Sequence, residues 1–175
     1  MGYKLVPCLL TLEAATAVVE KTARACGAVV RCWEGRLAYL PVWVAHTLCT
    51  VRQPFGGTRK LPLLVGADGW SGVVAVLAGA PLFQVVEEVR AEELLLPVRF
   101  GPADLEPLVV REAQEYLMSR WRQLSEVSVL AMDLLYRPVW VCLDERRKVR
   151  MVDGHTGERL YHLDRMSESL VSLFV

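Results

Sequence analysis

A hexapeptide that combines tyrosine, proline and tryptophan occurs twice in this chain and constrains the fold more than any other feature. Residues 39–44 read YLPVWV and residues 136–141 read YRPVWV, so five of the six positions are identical. Each copy is followed by a similar pentapeptide, DGWSG at residues 68–72 and DGHTG at residues 153–157. Motifs that recur in the same order indicate an internal duplication.

A third match supports the same division of the chain. A proline followed by Leu-Glu precedes each hexapeptide, at residues 7–13 and again at residues 97–106. We therefore predict an α+β fold made of two similar repeat units, residues 1–90 and residues 91–175. Each unit is expected to hold a helix followed by an antiparallel meander, and the two units to pack pseudo-symmetrically into one body.

One helix is predicted near the start of each repeat unit. In the first unit, apolar residues recur at helical spacing from Thr11 to Cys26, and threonine is a good N-cap residue. In the second unit, the corresponding stripe runs from Asp104 to Leu124, with Asp104 as the cap and Pro107 tolerated in the first turn.

Strands are predicted after each helix. A turn at Glu34-Gly35 separates the first two strands, and each Asp-Gly pentapeptide closes a hairpin between the last two strands of its unit. In these pentapeptides the aspartate can accept hydrogen bonds from the next backbone N–H groups, and the final glycine can adopt a positive φ. The predicted strands are residues 28–32, 37–51, 63–67 and 73–77, followed by 127–130, 134–143, 149–152 and 158–163.

Composition excludes several classes of protein. Of the 175 residues, 53% are hydrophobic, which is incompatible with intrinsic disorder. Basic and acidic residues both number 20, so the net charge is zero and a strongly basic nucleic-acid binder is excluded. No apolar run reaches the roughly 18 residues of a membrane helix. Because the chain start does not read as a secretory signal and no Cys-x-x-Cys occurs, we expect a cytoplasmic protein with reduced thiols.

Residues with catalytic potential do not form a known motif. On a strand, His46 and Cys49 would point to opposite faces, which is poor geometry for a nucleophile pair. Asp68 and Asp153 recur at equivalent positions, and turn formation accounts for both. We expect no catalytic residue, no cofactor and no metal site. An enzyme of the hydrolase type that uses Cys49 or Asp153 stays open as an alternative.

The residues best suited to bind a partner lie in the repeated hexapeptide. Alternation along a strand places Tyr39 with Trp43 on one face, and likewise Tyr136 with Trp140. The proline between the aromatic residues favours a sheet edge or a bulge, so these residues could form a binding platform. The alternative is that they fill the core.

Basic residues recur in the loop after each hexapeptide. Such loop tips could contact phosphates or an acidic partner, or could be ordinary solvated turns. The candidate anion-contacting residues are Arg52, Arg59, Lys60, Arg146, Arg147 and Lys148.

The end of each repeat unit resembles a known small module. A helix followed by a meander that ends in Val-Asp-Gly-x-Thr-Gly-Glu, as at residues 152–158, is similar to the PepSY type of module with its cystatin-like α+β layout. Residues 67–72 match this pattern less closely. The resemblance implies an inhibitory or interaction role, and it implies no catalytic residue.

These features favour a non-catalytic protein-interaction or assembly module. An exposed sheet edge can bind another chain by strand addition, so the partner would be another protein or a second copy of this chain rather than a membrane or a nucleic acid. Residues 83–89 alternate in part, and the apolar residues 169–175 read as an edge strand or an interaction surface. The alternatives are a small-ligand or peptide-binding protein, and a weak nucleic-acid binder that uses the basic tips.

Overall fold

A computed structural model of the chain describes residues 2–53, 56–86, 88, 93–122 and 126–164. The predicted apolar segment 169–175 lies outside the described residues, as does part of the predicted strand 83–89. The helices are α1 (Leu12–Ala25), α2 (Pro102–Trp121) and α3 (Tyr161–Asp164). The strands are β1 (Tyr3–Leu5), β2 (Cys32–Arg52), β3 (Thr58–Asp68), β4 (Val74–Val76), β5 (Gln84–Val86), β6 (Leu94–Leu95), β7 (Glu126–Asp144) and β8 (Val149–Asp153). These helices and a mixed, mostly antiparallel sheet confirm the α+β class.

The chain forms two compact units, each built from segments that are distant in sequence. Compact unit A comprises Met1–Leu40, Leu82–Leu96 and Tyr136–Val175, and compact unit B comprises Pro41–Pro81 and Pro97–Leu135. The strands β2 and β7 each contribute residues to both units. Each compact unit therefore combines residues from both predicted repeat units. The duplication of residues 1–90 as residues 91–175 stays a prediction.

Helix α1 begins where the sequence predicts. Thr11 is the N-cap residue, and its Oγ1 accepts a hydrogen bond from the Ala14 N–H at 3.3 Å. Within compact unit A, the buried α1 residues Ala15 and Val19 share one hydrophobic cluster with Cys142 of β7 and Val152 of β8. Helix α1 thus packs against strands that follow α2 in the sequence.

Further strands complete compact unit A. The end of β7 pairs antiparallel with β8 over Val139 to Leu143. Strand β1 is parallel to β7, with Leu5 opposite Tyr136, and antiparallel to β5. Strand β6 is parallel to β2, with Ala38 opposite Leu94. In the strand order, β5 lies at one end, beyond β1.

Compact unit B is built around the β2–β3 hairpin. These strands are antiparallel from Val42 opposite Asp68 to Arg52 opposite Thr58, and β4 pairs with the other side of β3. Helix α2 packs against this hairpin. Leu105, Val109, Ala113 and Leu117 of α2 are fully buried, and they share a cluster with Ala45, Cys49, Val51, Val65 and Ala67 of the hairpin.

The predicted start of the second helix was three residues late. Helix α2 begins after the N-cap residue Gly101, and Asp104 occupies the third helical position. From there, the Asp104 carboxylate accepts a hydrogen bond from the Gly101 N–H at 2.9 Å, which completes one half of a capping box. Pro107 is the sixth residue of the helix and lies beyond the first turn, where it was predicted, because the helix begins earlier than expected.

The predicted turn at Glu34-Gly35 was wrong, because β2 is continuous from Cys32 to Arg52. A Cβ atom at Gly35 would collide with Leu12 Cδ1 of α1, so the missing side chain leaves room for Leu12 beside the strand. The prediction of two strands within β7 was wrong in the same way. The predicted strand 158–163 is reduced to one bridge, Val152 with Arg159, before α3 begins.

Candidate functional site

Both repeated aspartates form turns, as the sequence predicts. In each turn, aspartate Oδ1 accepts hydrogen bonds from the backbone N–H groups two and three residues later. The donor–acceptor distances are 2.8 and 3.0 Å at Asp68, and 2.8 and 2.5 Å at Asp153. The final glycines, Gly72 and Gly157, both adopt a φ of 76°. Both carboxylates are thus used to order a hairpin.

A closed set of hydrogen bonds surrounds the turn of compact unit A. The Gly154 N–H donates to the Pro138 carbonyl at 2.8 Å, and the Gly154 carbonyl accepts from the Leu10 N–H at 2.9 Å. The indole Nε1–H of Trp140 then donates to the Leu10 carbonyl at 2.8 Å. We call these four residues the tryptophan corner of unit A. It attaches the segment before α1 to the β7–β8 hairpin.

Compact unit B contains a matching tryptophan corner. The Gly69 N–H donates to the Pro41 carbonyl at 2.8 Å, and the Gly69 carbonyl accepts from the Phe100 N–H at 2.9 Å. The Trp43 Nε1–H donates to the Phe100 carbonyl at 3.1 Å. The repeated tryptophan therefore makes the same contact in both units, to the residue just before the helix N-cap.

The glycines of the two corners were not singled out by sequence reasoning. A Cβ atom at Gly154 would lie 2.9 Å from Cys8 Sγ and 3.2 Å from the Pro138 carbonyl oxygen, and one at Gly69 would lie 3.3 Å from the Pro41 oxygen. A Cβ at Gly154 would force Cys8 to shift, and a Cβ at Gly69 would make a contact tighter than ordinary packing. The signal that could have revealed them is the Asp-Gly dipeptide present in both pentapeptides.

The predicted aromatic platform is divided between the two compact units and is partly buried. Tyr39 is 6% exposed, which favours the core alternative for that residue. Trp43, Tyr136 and Trp140 are half-buried. Tyr136 makes an edge-to-face contact with Tyr3 at a centroid distance of 5.8 Å. A role of these four residues in partner binding stays a prediction.

An ion pair distinguishes the two turns. Asp153, which is fully buried, pairs through Oδ2 with Arg137 Nε. Arg137 stands at the one position where the two hexapeptides differ, and the first copy has Leu40 there. In the other turn, Asp68 Oδ2 accepts a hydrogen bond from Ser71 Oγ at 2.7 Å. The mismatch within the repeat was the sequence signal for this ion pair.

All six predicted basic tips are exposed. Arg146, Arg147 and Lys148 lie in the β7–β8 turn, whereas the sequence placed Arg52, Arg59 and Lys60 in a loop and the structure places them in the paired ends of β2 and β3. The β7–β8 turn is ordered by Asp144, whose Oδ1 accepts from the Arg146 N–H at 2.9 Å and the Lys148 N–H at 2.8 Å. Arg147 between them has a φ of 56°. The β2–β3 turn contains two glycines of positive φ, Gly56 and Gly57. Anion contact by these tips stays a prediction.

The side chains that could serve an enzyme are separated or buried. His46 is exposed and lies 3.6 Å from Asp133 (Nε2 to Oδ2), while Cys49 is buried, so the prediction of opposite faces is confirmed. Cys49 Sγ lies 3.8 Å from Thr47 Oγ1, and burial raises the pKa of the Cys49 thiol. Asp153, the other catalytic candidate, is occupied by its turn and by Arg137.

Two further cysteines of compact unit A interact. Cys32 and Cys142 pack in one hydrophobic cluster, and a hydrogen bond from the Cys142 thiol lowers the pKa of Cys32. The same bond, together with burial, raises the pKa of Cys142. All five cysteines are free thiols. Within the described part of the chain, no three metal-ligating side chains cluster.

Strand β5 carries an exposed apolar surface. Val85 is 65% exposed, and the two residues that lead into the strand, Leu82 and Phe83, are 78% and 46% exposed. The Lys4 ammonium of the neighbouring strand lies 5.4 Å from the centroid of the Phe83 ring. Among the residues that the structure describes, no strand pairs with the outer side of β5.

Comparison with known proteins adds no relative. No protein-family model, no curated protein and no solved structure matches this chain. Within the described residues, no helix combines the length and the apolar character needed to cross a membrane.

Proposed function

We propose that this chain is a non-catalytic protein-interaction module whose docking element is the edge strand β5. The observation that carries the proposal is the exposure of Val85 on a strand whose outer side is unpaired in the described structure, together with that of Leu82 and Phe83, which lead into the strand. Proteins usually protect such edges with charges, prolines or a covering segment. An apolar edge supplies both backbone hydrogen-bonding groups and side chains for strand addition.

The partner that best fits this edge is a second copy of the chain. Residues 82–86 read LFQVV and contain no charge, so two copies of this segment can pair antiparallel without placing like charges opposite each other. A two-fold arrangement centred on Val85 would bring the same patch of each copy together, which is the usual geometry of a homodimer.

The second part of the proposal is that the chain arose by duplication of one α+β unit. The support is the matched pair of tryptophan corners, in which Trp43 and Trp140 make the same contact to the residue before a helix N-cap. Helix α1 packs with the hairpin that follows α2, and α2 packs with the hairpin that follows α1. In this proposal, two ancestral copies exchanged their helices before they were joined in one chain.

Sedimentation of the full chain over a range of concentrations tests the assembly proposal. The wild type should show a concentration-dependent dimer, and Val85→Lys should be monomeric, because each copy would place a lysine against the other and beside Lys4. The control is Ala75→Lys, which puts the same charge at an exposed position of the edge strand β4 in compact unit B. Circular dichroism verifies that both variants fold.

Two outcomes would contradict the proposal. A wild type that stays monomeric at the highest attainable concentration contradicts self-assembly. A dimer that Ala75→Lys disrupts as strongly as Val85→Lys contradicts the assignment to β5.

A further inference from the structure

Compact unit A contains a cavity that the edge-strand proposal does not use. Its volume is about 170 Å³, and residues of α1, of the segment after α1, of β8 and of the segment after β8 line it. The lining residues that matter here are Val19, Ala23, Val30, Arg150, Arg159 and Tyr161.

One wall of the cavity is apolar. Val19 and Val30 are 1% and 6% exposed, and the methyl group of Ala23 lies beside them in the same cluster. An engineered apolar cavity of roughly 150 Å³ is known to bind benzene, so this volume suits a ligand body of about one six-membered ring. Burial of that body against the wall would supply hydrophobic binding energy.

The other wall is cationic. The described residues that line the cavity include two arginines and no carboxylate. Arg150 Nε lies 3.2 Å from Oδ2 of Asp144, a residue that does not line the cavity. The Arg159 guanidinium lies 5.2 Å from the centroid of the Tyr161 ring. An ion pair and an aromatic face each fix the plane of a guanidinium group. Both cations are thus oriented before any ligand arrives.

We propose that this cavity binds a small organic anion, a monocarboxylate whose apolar body is about the size of a benzene ring. The carboxylate faces Arg159 and Arg150, because the planar fork of a guanidinium matches a carboxylate with two parallel hydrogen bonds. The apolar body lies against Val19 and Ala23. Tyr161, which is 57% exposed, stands at the solvent side of the cavity.

Titration of the full chain with benzoate tests the proposal. Calorimetry measures the affinity, and ¹H–¹⁵N NMR shifts at the amides of Val19, Ala23 and Arg159 locate the ligand. Benzamide has the same shape without the charge and should bind at least about tenfold more weakly, since a charge-assisted hydrogen bond contributes at least that factor. Arg159→Gln should weaken benzoate binding by a similar factor.

Two matched controls complete the experiment. Arg146→Gln removes one positive charge from the exposed β7–β8 turn and should retain the wild-type affinity. Ala23→Leu fills the cavity and keeps both arginines, so it should lose benzoate binding, whereas Ala25→Leu at an exposed position of the same helix should not. If Arg159→Gln fails to fold, the comparison of Ala23→Leu with Ala25→Leu still tests whether benzoate binds in this cavity.

The proposal is overturned if benzoate produces no localised shifts, or if benzamide binds as tightly as benzoate. Equal effects of Arg159→Gln and Arg146→Gln would also overturn it, since they would reflect only the net charge of the surface.

Discussion

The indole nitrogen of Trp140 donates a 2.8 Å hydrogen bond to the backbone carbonyl of Leu10, a residue 130 positions earlier in the chain. Trp43 makes the equivalent bond to Phe100 in compact unit B, at 3.1 Å. In both units this bond joins a sheet to the segment that enters a helix. The repeated tryptophans therefore hold each helix onto its hairpin.

Replacing either tryptophan by phenylalanine should destabilise the fold. Trp140→Phe and Trp43→Phe keep an aromatic ring but remove the indole N–H that donates to a backbone carbonyl, at a cost of about 1 kcal/mol each. The urea midpoint at constant m-value measures this change. Tyr161→Phe, at an exposed aromatic position, serves as a control that should not shift the midpoint. Unchanged midpoints in both tryptophan variants would show that the corners contribute nothing to stability.

The ion pair between Arg137 and Asp153 should contribute to the free energy of unfolding. Arg137→Leu copies the residue of the first hexapeptide and leaves a fully buried carboxylate without its cation. We expect a loss of about 1 to 3 kcal/mol, less than for a pair in which both partners are buried, since Arg137 is 36% exposed.

A double-mutant cycle isolates this coupling. Asp153→Asn keeps Oδ1 as an acceptor for the turn, so Arg137→Leu should cost much less in that background. If Arg137→Leu costs the same with Asp153 and with asparagine at that position, the ion pair does not stabilise the fold.

Gly154→Ala should lower the thermal stability far more than Gly79→Ala does. Its Cβ would lie 2.9 Å from Cys8 Sγ and 3.2 Å from the Pro138 oxygen, whereas a Cβ at Gly79 would meet nothing within 4 Å. Overpacking of this kind costs about 1 to 3 kcal/mol. Thermal unfolding compares the two variants. Cys8→Ala combined with Gly154→Ala should recover only part of the loss, because the backbone contact persists.

Cys32 should be alkylated faster than the buried thiols. Its pKa lies below the ordinary value of 9.0 because the Cys142 thiol donates to it, while burial raises the pKa of Cys49. Iodoacetamide at mildly alkaline pH, followed by peptide mass spectrometry, should therefore label Cys32 before Cys49 and Cys142. In the variant Cys142→Ala, the labelling of Cys32 should slow. Labelling of Cys49 first would contradict this order.

The buried thiols also predict how stability depends on pH. The pKa of the Cys49 thiol is raised in the folded state. The neutral thiol therefore contributes fully to the free energy of unfolding below the pKa of the unfolded thiol, and this contribution is lost as the pH rises through the higher pKa of the folded state. The free energy of unfolding should fall when the pH increases beyond about 9. Cys49→Ala should show a smaller fall, and an identical fall in both proteins would exclude Cys49 as its source.

Local signals in the sequence predicted the local structure well. Thr11 as an N-cap and the aspartates of both hairpin turns follow from short-range hydrogen-bonding chemistry, which the sequence carries directly. Gly35 was misread as a turn residue. In the structure it leaves room for the side chain of Leu12, a contact between residues 23 positions apart that no local pattern reveals. Periodicity could place each helix in the chain, but it could not reveal which hairpin each helix covers. That choice depends on the packing of two similar apolar faces against two similar sheets.

The candidate sites, too, could be predicted only where the signal is local in the sequence. The basic tips were predicted from the charges that recur after each hexapeptide, and all six are exposed, although Arg52, Arg59 and Lys60 lie in strands rather than in a loop. The apolar edge at Val85 and the cavity with Arg159 depend on strand order and on a loop that returns to α1, and neither has a local signature.

The most direct measurement of the central claim is an isotope-filtered NOE experiment on a mixture of ¹³C,¹⁵N-labelled and unlabelled chains. If two copies meet along β5, the Val85 methyl groups of labelled chains should show intermolecular contacts to Val85 and Phe83 of unlabelled chains. The amide of an inter-chain paired β5 residue should also exchange more slowly as the concentration rises. Intermolecular contacts at β4 or α2 instead, or none at concentrations where the chain self-associates, would contradict the account.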